Sequence, residues 1–182
     1  MKKILGLLVL TLAFACNNNK QPKTAEDVLN YIDKTNLNKG SEHFHLDTPE
    51  GWTTDRKTIQ GINYYYIFSP QTGEVPNPNI NMVTESMQGV SLKTYINKSL
   101  SSLEQILPGS KVVANGDIEA NGIHGAWYNY TMEMQGVKAD LMAYVFPADG
   151  IAYVITGICA PDKKTKYRPV FDKVAKSFKL GE

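Results

Sequence analysis

The chain has 182 residues, a length that suits one well-buried domain and leaves little room for two. Hydrophobic residues make up 42% and charged residues 20%, a composition that excludes collagen-like, coiled-coil and wholly disordered chains. The formal net charge of +1 creates no broad positive field, so nucleic acid is not an expected partner.

The N-terminus has the layout of a secretory signal peptide. Lys2 and Lys3 precede a run of apolar residues that is too short to span a membrane. The run ends in Leu12-Ala13-Phe14-Ala15-Cys16, which resembles a bacterial lipobox, where the cysteine is acylated and becomes the new N-terminus. We therefore predict that residues 1–15 are removed and that Cys16 is lipidated. A plain secretory signal with an incidental cysteine is the alternative.

The segment after the predicted cleavage site has the composition of a tether. Removal of residues 1–15 takes Lys2 and Lys3 away and changes the formal charge from +1 to −1, so lipid rather than charge is predicted to hold the protein on a membrane. Residues 16–23 are polar after the cysteine and predict a flexible tether. Residues 24–182 form the predicted single domain.

After lipidation, Cys159 is the only remaining thiol, so no internal disulfide is available. It ends an apolar, β-branched run, 151–159, and free cysteine is one of the most buried residue types. Nothing nearby in the sequence would lower its pKa, so we predict a buried thiol without a catalytic role.

The first half of the mature chain contains a predicted helix, two strands and a loop. Thr24-Ala25-Glu26-Asp27 is similar to a capping box and predicts a short helix that ends before Gly40. Alternation over Glu42 to Thr48 predicts a strand, and the run from Ile62 to Phe68 predicts another that is covered on both faces. The segment from Ser69 to Asn79 contains three prolines and predicts a loop, and long loops of this kind are functional or mobile.

The second half predicts a strand, two long helices and a meander. The first strand covers Ile80 to Ser86, and an amphipathic helix runs from Ser91 to Pro108-Gly109. The remaining predicted elements are four strands and a final helix, at Lys111 to Glu119, Ile123 to Met134, Val137 to Phe146, Ile151 to Cys159 and Pro161 to Phe178. Short turns require antiparallel pairing, and the helices must lie on the sheet by their apolar stripes. The predicted fold class is α+β, a central antiparallel sheet of about six strands flanked by helices.

Three segments in this order resemble the PsbP-like proteins. Phe44-His45-Leu46-Asp47-Thr48-Pro49-Glu50-Gly51-Trp52 resembles their opening strand and turn, and Asn79-Ile80-Asn81-Met82-Val83 their next paired strand. Phe171-Asp172-Lys173-Val174-Ala175-Lys176-Ser177-Phe178 resembles their terminal helix. The resemblance covers residues 42–179 and implies the Mog1/PsbP-like fold, an antiparallel sheet between helices. Its members include photosystem-associated lumenal proteins, a nuclear-transport factor and bacterial lipoproteins, so it transfers no catalytic residue.

Two histidines are the candidate metal ligands. His43 and His45 are two residues apart on a predicted strand and therefore project from the same face, where they suit zinc. Asp47 continues that row, and His124 is a further histidine near a predicted turn. A solvated outer face is the alternative explanation.

Two further sets of residues are candidates for binding. The first is five tyrosines that would line a ligand cleft, with core packing as the alternative. They are Tyr64, Tyr65, Tyr66, Tyr128 and Tyr130. The second is the cations of the C-terminal helix, which suit anionic lipid or an acidic partner, with a solvated helix face as the alternative. They are Lys163, Lys164, Lys166, Arg168, Lys173, Lys176 and Lys179.

The sequence contains no phosphate-binding glycine loop, His-Glu-x-x-His, paired Cys-x-x-Cys, acidic calcium loop or Gly-x-Ser-x-Gly motif. We predict a non-catalytic, lipid-anchored accessory or binding protein of the bacterial cell envelope, without a cofactor, facing the periplasm or the cell exterior. Its predicted partner is an envelope protein, bound through the sheet, the Ser69 to Asn79 loop or the final helix. The alternative is a small-molecule or metal carrier, or a hydrolase with a tyrosine-lined cleft.

Overall fold

The computed structural model describes residues 34–40, 43–107 and 109–181, which contain nine strands and two α-helices. The strands are β1 (Phe44–His45), β2 (Thr53–Ile59), β3 (Ile62–Phe68), β4 (Asn79–Ser86), β5 (Lys111–Ala120), β6 (Ile123–Met134), β7 (Val137–Ala148), β8 (Ile151–Cys159) and β9 (Lys179–Leu180). The helices are α1 (Leu92–Ile106) and α2 (Lys164–Lys176), and Lys34–Asn36 and Pro161–Lys163 form 3-10 turns. Most of the predicted N-terminal helix, residues 24–33, lies outside the described residues.

Strands β2 to β8 form one antiparallel sheet of seven strands, in the order β2-β3-β4-β8-β7-β6-β5. After β4, helix α1 carries the chain from the middle of the sheet to its far edge. The meander β5 to β8 then returns strand by strand until β8 pairs with β4. The predicted α+β class is confirmed, with seven strands in the main sheet where about six were expected.

Four hairpins of this sheet are closed by the same kind of two-residue turn. Each turn is a polar residue followed by glycine, at Gln60-Gly61, Asn121-Gly122, Gln135-Gly136 and Asp149-Gly150. The first residue has φ between 48° and 52° and the glycine φ between 75° and 81°. Positive φ at both positions gives a turn whose twist matches that of the flanking strands, which fixes the register of each hairpin.

The first predicted strand, Glu42 to Thr48, is wrong in extent and in sheet. Among residues 43–48, which the structure describes, only Phe44–His45 forms a strand, and it pairs with β9 in a separate sheet of two strands. Beyond it, the Asp47 backbone N–H donates to Ser177 Oγ at 2.8 Å and not to a strand. The main sheet begins with β2, which the sequence analysis did not predict, and six of its seven residues are exposed.

An apolar core lies on each face of the sheet. Helix α1 covers one face, where Tyr95 and Leu103 pack over side chains of β3, β4 and β6 to β8. Helix α2 covers the other, where Tyr167, Phe171 and Val174 pack over β3, β4, β7 and β8. The apolar stripes predicted for the two long helices therefore seal the two faces, as expected for a three-layer α-β-α arrangement. Within the residues described, no helix is long and apolar enough to cross a bilayer.

Candidate functional site: a loop held against the C-terminal helix

The loop predicted over Ser69 to Asn79 is confirmed, and its own hydrogen bonds order it. The side-chain amide nitrogen of Asn77 donates to Ser69 Oγ at 3.0 Å. The side-chain oxygen of Asn77 accepts from the backbone N–H of Thr72 at 3.0 Å and from Thr72 Oγ1 at 3.1 Å. At the base of the loop, the Ser69 N–H donates to the Pro78 carbonyl at 3.2 Å. One asparagine thus ties both arms of the loop together.

An ion pair attaches this loop to α2. Lys166 Nζ lies 3.3 Å from Glu74 Oε1, and the Glu74 side chain is only 14% exposed. Burial opposes ionisation of this carboxyl, but the Tyr167 hydroxyl and the Lys166 ammonium outweigh that cost and hold the pKa of Glu74 below its usual range. The Lys166 ammonium also lies 4.6 Å from the Tyr167 ring centroid. The loop therefore has a charged, oriented contact with the helix.

The fixed loop presents an apolar side chain to solvent. Val75 follows Glu74 directly and is 62% exposed. Only one other large apolar side chain is comparably exposed in the described part of the chain, Val113 at 54% in the edge strand β5. We name residues 69–78 together with Lys166 the loop–helix surface. An ordered loop with an apolar tip and a polar rim has the make-up of a protein contact.

The five candidate tyrosines divide between the core and a small cleft. Tyr64, Tyr66, Tyr128 and Tyr130 are each at most 2% exposed and pack in the core under α1. Tyr65 projects to the α2 face, where its ring meets that of a phenylalanine edge-on. Burial raises the pKa of Tyr64, Tyr128 and Tyr130 above the usual value, so these hydroxyls stay neutral. Core packing, the alternative given in the sequence analysis, therefore applies to four of the five tyrosines.

A cleft opens where β3 and β4 diverge. These strands stay paired over only four residues of each, and residues 37–40 fill the gap beyond. There the Asn38 N–H donates to the Thr84 carbonyl at 3.0 Å. The cleft has a volume of about 200 Å³ and is lined in part by Tyr64 and Tyr65. This volume is below the range of roughly 300–1,000 Å³ that is typical of small-molecule sites.

Of the two candidate metal ligands, His45 lies in β1 and His43 directly precedes this strand. His43 and His45 are both exposed, and His45 Nε2 lies 2.8 Å from Asp47 Oδ1. His124 lies elsewhere, with its Nε2 3.9 Å from Asp117 Oδ1. Across residues 34–40, 43–107 and 109–181, no three His, Cys, Asp or Glu side chains are grouped closely enough to hold a metal. A metal site at the histidine pair therefore stays a prediction.

Zinc titration tests the histidine pair. If His43 and His45 share an ion, the purified protein is expected to bind one zinc per chain by calorimetry, because neutral imidazole nitrogens are good zinc ligands. The double variant His43→Ala/His45→Ala is expected to lose this binding, whereas His124→Ala keeps it. Binding no stronger than background, or binding that survives in the double variant, contradicts the prediction.

Cys159 is a buried free thiol. Cys159 is 1% exposed at the end of β8. Burial, reinforced by the charge of Asp140 and other nearby carboxylates, raises its pKa to about 12. Because the thiolate is the nucleophilic form, this side chain acts as a small apolar residue at neutral pH, as the sequence predicted.

The structure also contains a buried polar pair that the sequence analysis missed. Glu85 is 2% exposed, and the Tyr95 hydroxyl donates to its Oε2 at 2.6 Å. In β4, alternation of side chains places Glu85 on the face of the sheet that α1 covers. A carboxylate at a position predicted to be buried was the sequence signal that indicates such a polar pair. Burial, followed by the Glu85 carboxylate, raises the pKa of Tyr95, which keeps the donor protonated. The pair joins the start of α1 to the sheet.

The strand order, the two covering helices and the small β1–β9 sheet define the Mog1/PsbP-like fold that the sequence resemblance implied. Two solved structures show this. Cyanobacterial PsbP (CyanoP) from Synechocystis sp. PCC 6803 is similar with a TM-score of 0.55 at 13% identity, over 79% of this chain and 96% of that protein. LpqN of Mycobacterium tuberculosis, described as involved in cell envelope biogenesis, is similar with a TM-score of 0.57 at 11% identity, over 79% of this chain and 88% of that one.

A third solved structure, of a protein of unknown function from Pseudomonas aeruginosa, is similar with a TM-score of 0.58 at 17% identity, over 77% of this chain and 99% of that one. No protein-family model matches the sequence, and no curated protein matches it. At identities this low the likeness extends to the fold alone, and function has to be argued from the surfaces of this chain.

Proposed function

We propose that this protein is a lipid-anchored, non-catalytic binding protein of the bacterial cell envelope. In this proposal, acyl chains on Cys16 hold it on a membrane, and the loop–helix surface recognises an envelope protein. The lipobox-like sequence before Cys16 supports the anchor. The fold is compatible with such a role, because one protein that has it, LpqN, is described as involved in cell envelope biogenesis.

The observation that carries the proposal is the fixed presentation of Val75. A loop that had to order itself on binding would lose conformational entropy at that moment, which weakens association. Here Asn77 and the Glu74–Lys166 ion pair fix the loop before any partner arrives. Pre-ordering of this kind favours a specific contact with a surface that accepts one apolar side chain within a polar rim.

Cross-linking in living cells tests the proposal. A photoreactive amino acid in place of Val75 is expected to form one dominant covalent product with an envelope protein, which mass spectrometry then identifies. Val75→Asp is expected to weaken binding to the captured partner about tenfold or more, because it places a charge at the centre of the contact.

Val113 provides the matched control, since it is almost equally exposed but lies in edge strand β5. The same photoreactive residue at Val113 is expected to yield no specific product. Cys16→Ser is expected to abolish the Val75 product, because the domain then leaves the membrane that concentrates it near its partner. Identical products from positions 75 and 113 would contradict recognition by the loop–helix surface.

A further inference from the structure

Two of the cations at the start of α2 and in the turn before it are paired with acidic partners. Lys163 Nζ lies 2.9 Å from Asp162 Oδ2, and Lys166 Nζ lies 3.3 Å from Glu74 Oε1. Lys164, the first residue of the helix, is exposed and forms no ion pair with any residue that the structure describes. The basic character that the sequence assigned to the whole C-terminal segment is therefore weaker in this half.

The opposite end of the helix keeps its charge. Lys173, Lys176 and Lys179 are all exposed and form no ion pair with any residue that the structure describes. Lys173 and Lys176 are neighbours because they are three residues apart on the helix. Lys179 follows in β9 and stands opposite His45 of β1, so these two side chains share one exposed face. We name the three lysines and His45 the basic end.

Two acidic residues beside the basic end, Asp172 and Asp47, contact other partners. Asp172 Oδ1 accepts a hydrogen bond of 2.5 Å from the Tyr144 hydroxyl, and Asp172 Oδ2 lies 4.0 Å from Arg168 Nε. Asp47 Oδ1 lies 2.8 Å from His45 Nε2. These two carboxylates contact partners other than the three lysines, so neither is paired with a lysine of the basic end.

We propose that the basic end docks on anionic phospholipid headgroups of the membrane that holds the lipid anchor. This inference rests on the proposed anchoring at Cys16, which keeps the domain beside a lipid surface at high effective concentration. Residues 34–40 lie between the anchor and His43 along the chain and pack beside β4. His43, which directly precedes β1, adjoins the basic end, because its carbonyl accepts from the Gly181 N–H at 2.9 Å. The lysines supply the charge complementary to phosphate.

The expected effect is a strong preference for one orientation rather than tight binding on its own. Each lysine close to an anionic leaflet favours the docked state roughly fivefold, so three lysines favour it about a hundredfold. The attraction acts within about one Debye length, so high salt is expected to release the docked face while the acyl chains keep the protein on the membrane.

Amine-acylation footprinting of the lipid-modified full chain tests this inference. The protein is reconstituted in vesicles of phosphatidylglycerol mixed with phosphatidylcholine, and separately in pure phosphatidylcholine. Lys173, Lys176 and Lys179 are expected to react at least fivefold more slowly in the anionic vesicles. The exposed lysines of α1 and β5 are internal controls that keep their rates, namely Lys93, Lys98 and Lys111. High salt is expected to remove the protection.

Equal reactivity of the three lysines in both kinds of vesicle overturns the docking proposal. Protection in native membranes but not in anionic vesicles also overturns it, since an acidic protein would then be the partner. Flotation with the neutral vesicles reports the anchor separately, and a chain that does not float contradicts the proposed function. In that case excess anionic vesicles added to the chain still decide whether the basic end docks.

Discussion

Gly157→Ala is expected to destabilise the fold by about 1–3 kcal/mol, although it adds only one methyl group. A Cβ at this position would lie against Cγ and Cδ2 of the Phe171 ring, far inside normal contact distance. Phe171 is 2% exposed and belongs to α2, so its ring has no free space to move into. Either the ring leaves its rotamer or the whole helix lifts from the sheet. Denaturant unfolding measures this loss of stability: the midpoint concentration is expected to fall, while the slope of the unfolding free energy against denaturant concentration stays unchanged.

The second substitution Phe171→Leu provides the control for a steric cause. Phe171→Leu alone is expected to cost stability because it leaves a cavity over Gly157. In the double variant the added methyl group occupies part of that cavity, so the combined loss is expected to be at least about 1 kcal/mol smaller than the sum of the two single losses. Additive losses would show that Gly157 matters for a reason other than its contact with Phe171.

The class of fold was predictable because its signals are local and repeated. Polar-glycine dipeptides at 121–122, 135–136 and 149–150 separate segments of strand-forming residues, and such dipeptides favour the two-residue hairpin turn. Helical spacing of apolar residues marked both helices, and each helix needs a covered face. An antiparallel sheet between two helices follows from these facts without knowledge of any long-range contact.

The errors at the start of the domain also have physical causes. β2 is an edge strand whose residues are solvated on both faces, so it lacks the apolar alternation on which strand prediction rests. The available signal was Gln60-Gly61, which has the same pattern as the other hairpin turns and joins β2 to Ile62. The opposite error occurred at Glu42 to Thr48, where alternation was present but the strand that pairs with this segment in the described part of the chain, β9, is two residues long.

The sequence predicted the separate residues of the candidate sites but not the contacts between them. The sequence identified the Ser69 to Asn79 loop and the cations of the last helix, but not Glu74, which joins them through Lys166. The ion pair links residues 92 positions apart, and sequence spacing carries no information about such contacts. Likewise, His45 and Lys179 meet only because β1 pairs with β9.

One helix positions both proposed surfaces. The 13 residues of α2 span about 20 Å, with the Glu74 contact near one end and the basic end at the other. Docking through the basic end would leave the loop–helix surface at the opposite end of α2. Phe171 packs α2 directly against Gly157 of the sheet. A change in that contact would therefore shift the helix and, with it, both surfaces.

Stability is expected to fall steeply as the pH rises above about 10. Burial raises the pKa of five tyrosines above the usual 10.0, and each is at most 2% exposed. They are Tyr64, Tyr95, Tyr128, Tyr130 and Tyr144. Below that pH both states hold these protons, so the full stability is present. Above it the unfolded chain loses protons that the folded chain keeps, at a cost of about 1.4 kcal/mol per pH unit for each tyrosine.

Five such groups remove about 7 kcal/mol per pH unit, which approaches the whole stability of a typical domain. Phenolate absorbance and circular dichroism are therefore expected to change together in one cooperative step. Tyr64→Phe is the matched control, because the buried Tyr64 hydroxyl has no hydrogen-bond partner among the residues that the structure describes. The free energy of unfolding of this variant is expected to fall less steeply with pH, by about 1.4 kcal/mol per pH unit, because one titrating tyrosine is missing. Its stability at neutral pH is expected to be unchanged or higher. Gradual phenolate formation in a chain that stays folded would show that these hydroxyls reach water.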